Sequence, residues 1–252
     1  MKKPFILVST VLLATLAAAQ GNLEISQKQM PSSELALMSE SVSAQTGKEY
    51  TFENRFVIFT EVIDKKGETD NSHQMTILTG DEGSEMGIKM TQEGMQTELI
   101  YDFDKLEMVS LMNAGGQKMG TTMKIDRALV EAAEAESKPS DSEVPSFEKT
   151  GKSKEISGYP CDEYAVKGKD MFMWITEEAE ADWMKSLARM SGMNKKLPNL
   201  YPQSGYPEDG AVIQMISNEE NGSKVTMTVQ EIETGGNFVI STEGYTFMNI
   251  GQ

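Results

Sequence analysis

From Tyr50 onward, apolar and polar residues alternate in short runs separated by turn-forming residues, the pattern of successive strands with one buried face. The first run, Tyr50 to Asp64, is apolar on both sides: Phe52, Phe56, Ile58 and Val62 fall on one, Val57, Phe59 and Ile63 on the other. It predicts a single long strand covered twice. Lys65 to Glu68 turns it, and Gln74 to Thr79 returns with Met75 and Ile77 inward. Four further runs keep strict alternation: Met86, Ile88 and Met90; Met95, Thr97, Leu99, Tyr101 and Phe103; Leu106, Met108, Ser110 and Met112; and Met119, Thr121, Met123 and Ile125. A meander with uniformly apolar inner positions predicts curvature into a barrel or half-barrel.

The second half begins with Gly151 to Thr176, read as a polar strand to Ile156, a break at Gly158-Tyr159-Pro160, a strand Cys161 to Val166, a Gly168 turn and an apolar strand Met171 to Ile175. Tyr164 and Val166 point one way, Glu163, Ala165 and Lys167 the other. Helical spacing replaces alternation twice. Asp126 caps Arg127 to Glu136, and Thr176 caps a helix to about residue 191 whose stripe is Ala179, Trp183, Leu187 and Met190. A weaker patch, Leu35 to Met38, offers a third helix. Asn194 to Gly210 reads as a crossing loop, Asn221-Gly222 as the turn of a hairpin, and Phe238 to Ser241 and Tyr245 to Ile250 as closing strands. The expected fold is mainly β (α+β): a curved antiparallel sheet or half-barrel with two to three covering helices. It occupies residues 49–252 after a polar, poorly ordered segment, 20–48.

Lys2 and Lys3 precede an apolar run from Phe5 to Ala19 that ends in Ala17-Ala18-Ala19, the order of an export signal cleaved after Ala19. The run is too short to span a membrane, and no later stretch approaches twenty apolar residues. The expected location is therefore periplasmic or secreted, with no integral membrane segment in the mature chain. The formal charge of −16 becomes two units more negative when Lys2 and Lys3 leave with the leader, which argues against nucleic acid as a partner. With one cysteine, Cys161, an internal disulfide is impossible, and a buried small hydrophobe is the simplest role for it. Methionine changes the picture more than charge does. The chain holds 19 methionines beside nine Phe, seven Tyr and two Trp, so much of its interior is flexible thioether.

Gly151, Lys154, Ile156, Gly158, Tyr159, Cys161, Tyr164, Val166, Trp174 and Thr176 together resemble, in order and spacing, an uncharacterised family of exported bacterial proteins. That family is a domain of unknown function placed near the lipoprotein-carrier (LolA/LolB-like) fold. The pattern covers about a tenth of the chain. The resemblance implies an antiparallel half-barrel whose concave side is closed by helices and accepts acyl chains, with these motif residues in structural roles and no catalytic residue carried over.

No catalytic constellation appears. A Cys161 nucleophile lacks a nearby base, since His73, the only histidine, is far away in sequence. Met171 and Met173, with Met190 and Met193, are soft-metal ligand types, but no His or Cys shares their segment, and core packing is the better reading. Neither a metal nor a cofactor is expected. What remains is a binding module: Met86, Met90, Leu99, Tyr101, Met108, Met119 and Met123 line a hydrophobic concavity for a lipid or lipidated protein, with Trp183 and Leu187 packed over it. The alternative is a structural or protein-interaction domain whose core is filled.

Overall fold

The computed structural model describes residues 48–80, 84–92, 94–124, 146–179, 183, 184, 186, 207, 210–219 and 221–249. Fourteen strands are seen among them: β1 (Glu49–Phe52), β2 (Asn54–Ile63), β3 (Thr69–Thr79), β4 (Glu85–Gln92), β5 (Met95–Asp102), β6 (Glu107–Ala114), β7 (Gln117–Lys124), β8 (Phe147–Ile156), β9 (Tyr159–Val166), β10 (Met171–Thr176), β11 (Ala211–Asn218), β12 (Lys224–Glu233), β13 (Phe238–Ser241) and β14 (Thr246–Asn249). Twelve form one sheet in the order β14-β7-β6-β5-β4-β3-β2-β12-β11-β10-β9-β8, and β1 and β13 form a separate ribbon. Every pairing is antiparallel except β14 with β7. The edges β14 and β8 do not pair with each other, so the sheet is curved but open.

Curvature follows from which side chains share a core. The larger cluster joins Phe56, Ile58, Met75, Ile77, Met86, Ile88, Leu99 and Tyr101 from β2 to β5 with Tyr164, Met171, Met173, Met215, Met227 and Val229 from β9 to β12. Trp183 and Met184 lie inside it, and the Trp183 indole N–H donates to the Val212 carbonyl at 2.9 Å. At the β8–β9 turn, Ser157 and Gly158 both have positive φ, as a two-residue hairpin requires. Ser157 Oγ donates to the Val229 carbonyl of β12 at 2.6 Å, tying the hairpin tip to a strand three places away in the sheet.

The long strand expected from Tyr50 to Asp64 is two strands, broken at Glu53. There the backbone N–H donates to Thr79 O while the carbonyl accepts from Gly236 N. β1 thereby leaves the main sheet and, paired with β13, covers the outer side of β3 to β6. A second core results, in which Tyr50, Phe52, Ile240, Tyr245 and Phe247 bury Leu78, Ile100, Val109 and Leu111. The ribbon sits this close because Gly87 has no side chain: a Cβ there would meet Ile240 Cδ1 at 2.9 Å and Phe52 Cζ at 3.0 Å. The meander is thus apolar on both faces at its centre, not on one.

The covering helices are not supported. Among the described residues only Trp183, Met184 and Ser186 are helical. The expected helix 126–136, the 35–38 patch, Leu187 and the 194–206 part of the crossing loop lie outside the described residues. Leu106 belongs to the turn before β6, at φ 51°, and β9 begins at Tyr159, two residues earlier than expected.

Candidate functional site

Register brings the predicted methionines into two rows on the inner face. One runs Met86–Tyr101–Met108–Met123 across β4, β5, β6 and β7; the other runs Met75–Met90–Thr97–Met112–Met119 from β3 to β7. Burial falls steadily along the first; in the second it drops from Met75 to half-buried Met119, with Thr97 buried between. Met86, Leu99 and Tyr101 are packed in the main core with Trp183, while Met90 and Met108 sit half-buried on its margin. Met112 and Met119 are half-buried, and Met123 is 41% exposed. The deep ends of the rows are therefore filled core. Toward β7 the methionines face outward from it, on the side away from the smaller core, where Phe247 rests on Gly120.

The residues singled out between Gly151 and Thr176 come together at the other end of the sheet. Gly151, at φ +84°, sits in the irregular pairing of β8 with β9, between Lys149 and Ser153. Lys154 lies over the Trp174 ring at 4.1 Å and donates to Gln214 Oε1 at 2.9 Å. Trp174 stands beside Glu163 on β9 and Gln214 on β11, opposite in direction to Met173, and is 8% exposed. Ile156 and Tyr159 pack on the margin of the main core, and Tyr164 and Val166 lie within it. Thr176 Oγ1 accepts the Glu178 N–H at 3.2 Å, but residues 177–179 that follow are not helical, so the cap expected there is not seen. Glu163, expected to face solvent, is buried because Lys152 Nζ reaches both its carboxylate oxygens at 3.0 Å.

Beside this motif a cleft of about 520 Å³ opens among Lys149, Ser153, Asp162, Tyr164, Glu177 and Pro207. Three of its polar groups engage one another: Lys149 pairs with Asp162 at 2.6 Å, and Ser153 Oγ donates to the same carboxylate at 2.5 Å. Cys161 touches the cleft, but its thiol donates to the Tyr159 carbonyl at 3.4 Å and burial pushes its pKa up to about 11. A thiol so shifted is not a ready nucleophile. Its sequence-distant base, His73, is on β3, with β10, β11, β12 and β2 between that strand and β9. No group of three or more His, Cys, Asp or Glu side chains suited to a metal occurs among the described residues, nor does a helix long and apolar enough to cross a membrane.

None of the curated proteins compared with the chain matches it. Solved structures resemble it faintly. PNGF-II in the P21 space group is 10% identical over 79% of this chain and 32% of its own, at a TM-score of 0.36, so the chain spans about a third of that protein. A DUF1329 family protein from Desulfovibrio piger ATCC 29098 is 8% identical, covering 80% of this chain and 90% of its own at a TM-score of 0.22. The beta-barrel-like protein of domain of unknown function DUF1849 from Brucella abortus is 9% identical, covering 74% and 99% at a TM-score of 0.26. These scores are too low for any of the three to say what this chain binds. A protein-family model matches residues 59–237, from within β2 to the approach to β13, and the chain belongs to the family it describes, domain of unknown function DUF4412.

Proposed function

We propose that the protein is an exported, non-enzymatic binding module of the cell envelope that holds an acyl chain, free or attached to a protein, against the methionines of β6 and β7. One observation carries this reading: the fall in burial along the row from fully buried Met86 through Tyr101 and Met108 to Met123 at 41% exposed. A strand kept only for stability would present polar residues once it left the core. Here four thioethers, Met108, Met112, Met119 and Met123, continue across β6 and β7 in register. Unbranched thioethers specify shape poorly and adapt to varied apolar partners. Met86, Leu99, Tyr101 and Trp183 then form the packed floor behind the site rather than its lining.

The second reading is a structural or interaction domain with no small-molecule ligand, and the burial of Trp183 in the main core favours it. Titration of delipidated protein with a fluorescent fatty acid separates the two. Saturable binding, weakened at least about tenfold by Met119→Asp or Met123→Asp in variants that keep the parent's circular dichroism, supports the site, since tenfold corresponds to only about 1.4 kcal/mol. The absence of saturable binding across several acyl chains and lipidated peptides leaves the filled domain.

A further inference from the structure

We propose that His73, Met75 and Met90 form a binding site for one monovalent copper ion on the inner face of the sheet. His73-Gln74-Met75 lies in β3, where alternation puts the first and third residues on one face, about 6.6 Å apart along the strand. Met75 pairs directly with Met90 of β4, so their Cβ atoms are about 5 Å apart, and His73 stands diagonally from Met90 at about 7 Å. Strand register thus puts one imidazole and two thioethers on the same face, on side chains long enough to span those gaps.

The chemistry of the donors selects the ion. Thioethers are soft ligands that favour Cu(I), and an imidazole joins them readily. All three donors are neutral, so a monovalent ion leaves less uncompensated charge beside the core than a divalent one. No hydrogen bond or ion pair reaches the His73 ring among the described residues. Directly across from His73 on β2 is Thr60, fully buried, whose Oγ1 has no hydrogen-bond partner. A metal-bound histidine donates its other ring N–H to a neighbouring acceptor. Thr60 Oγ1 supplies that acceptor, which gives a use to a hydroxyl otherwise buried at a cost. Access is from the half-buried side: His73 and Met90 are partly exposed, whereas Met75 is 1% exposed.

Anaerobic titration of the full chain with Cu(I) in competition with bicinchoninate tests the site. One equivalent is expected to be retained. His73→Gln, Met75→Leu or Met90→Leu should each weaken retention by more than about tenfold, the least that changes to outer-shell groups typically cost. Cys161→Ser and Met123→Leu should leave it unchanged. Adding Ag(I), a redox-inert substitute, to protein labelled at the methionine methyls should shift Met75 and Met90 and spare Met123, a readout that does not depend on the variants folding. Failure to compete with the chelator, loss of retention in Cys161→Ser, or unshifted Met75 and Met90 methyls would overturn the proposal.

Discussion

Replacing Trp174 by Ala probes the motif at its most buried large side chain on the outer side of β10. The indole is 8% exposed, held between Glu163 and Gln214 with Lys154 laid across it at 4.1 Å. A buried Trp removes about 150–250 Å² from water, which at about 25 cal/mol per Å² is about 4–6 kcal/mol. An extended reference chain overstates such burial by about 10–40%, and Trp→Ala in cores costs about 3–5 kcal/mol. We therefore expect a loss of about 3–5 kcal/mol, of which the lysine's contact with the ring supplies about 0.5–1 kcal/mol. Urea unfolding followed by far-UV circular dichroism measures the total, and a double-mutant cycle with Lys154→Met isolates the lysine's share. A total below about 1 kcal/mol would refute the claim that this motif fastens β8, β9, β10 and β11 together, because that is close to what surface substitutions do.

Burial lowers the pKa of His73 below its ordinary 6.5, so the unfolded chain takes up a proton before the folded one does. Stability is predicted to fall as pH drops through and below that value, and His73→Gln should flatten this part of the profile. For Cys161 the shift is upward, from 9.0 to about 11, so the unfolded chain loses its proton first and stability should fall between those two pH values, a decline absent in Cys161→Ala. The native thiol should also react slowly with a bulky maleimide at neutral pH; labelling as fast as in urea would contradict its burial. Gly87→Ala drives a methyl against Ile240 and Phe52 and should cost about 1–3 kcal/mol in urea unfolding, as overpacking does. A neutral result there would mean that the β1–β13 ribbon does not press on β4.

Strand existence was readable in the sequence because alternation is a local property: β3 to β7, the β8–β9–β10 run and the β11–β12 hairpin all overlap their predicted spans, although β3, β8 and β9 begin earlier than expected. The second core was half-readable. Ile100, Val109 and Leu111 sit between the inward residues of β5 and β6, so both faces were visibly apolar, but nothing local said that residues 49–52 and 238–241 would pair to cover the outer one. The break at Glu53 was hidden for the same reason, since its cause is hydrogen bonds to Thr79 and Gly236, far along the chain. Along the methionine rows, alternation put the side chains on one face, as the strand register also does. It could not separate Met86, buried by partners from β9 to β12 and by Trp183, from Met123, which lies beyond their reach. The neighbourhood of His73 was missed because its partners, Thr60 and Met90, are set by strand register rather than by sequence distance.

Native mass spectrometry of the protein purified from its own cell envelope, without detergent exchange, tests the central claim most directly. The account predicts a population of the chain, beginning at Gln20, that carries one lipid-sized adduct released on mild activation and lost in Met119→Asp. Ligand-free chain alone, in preparations whose added fatty acid also fails to bind, would contradict it.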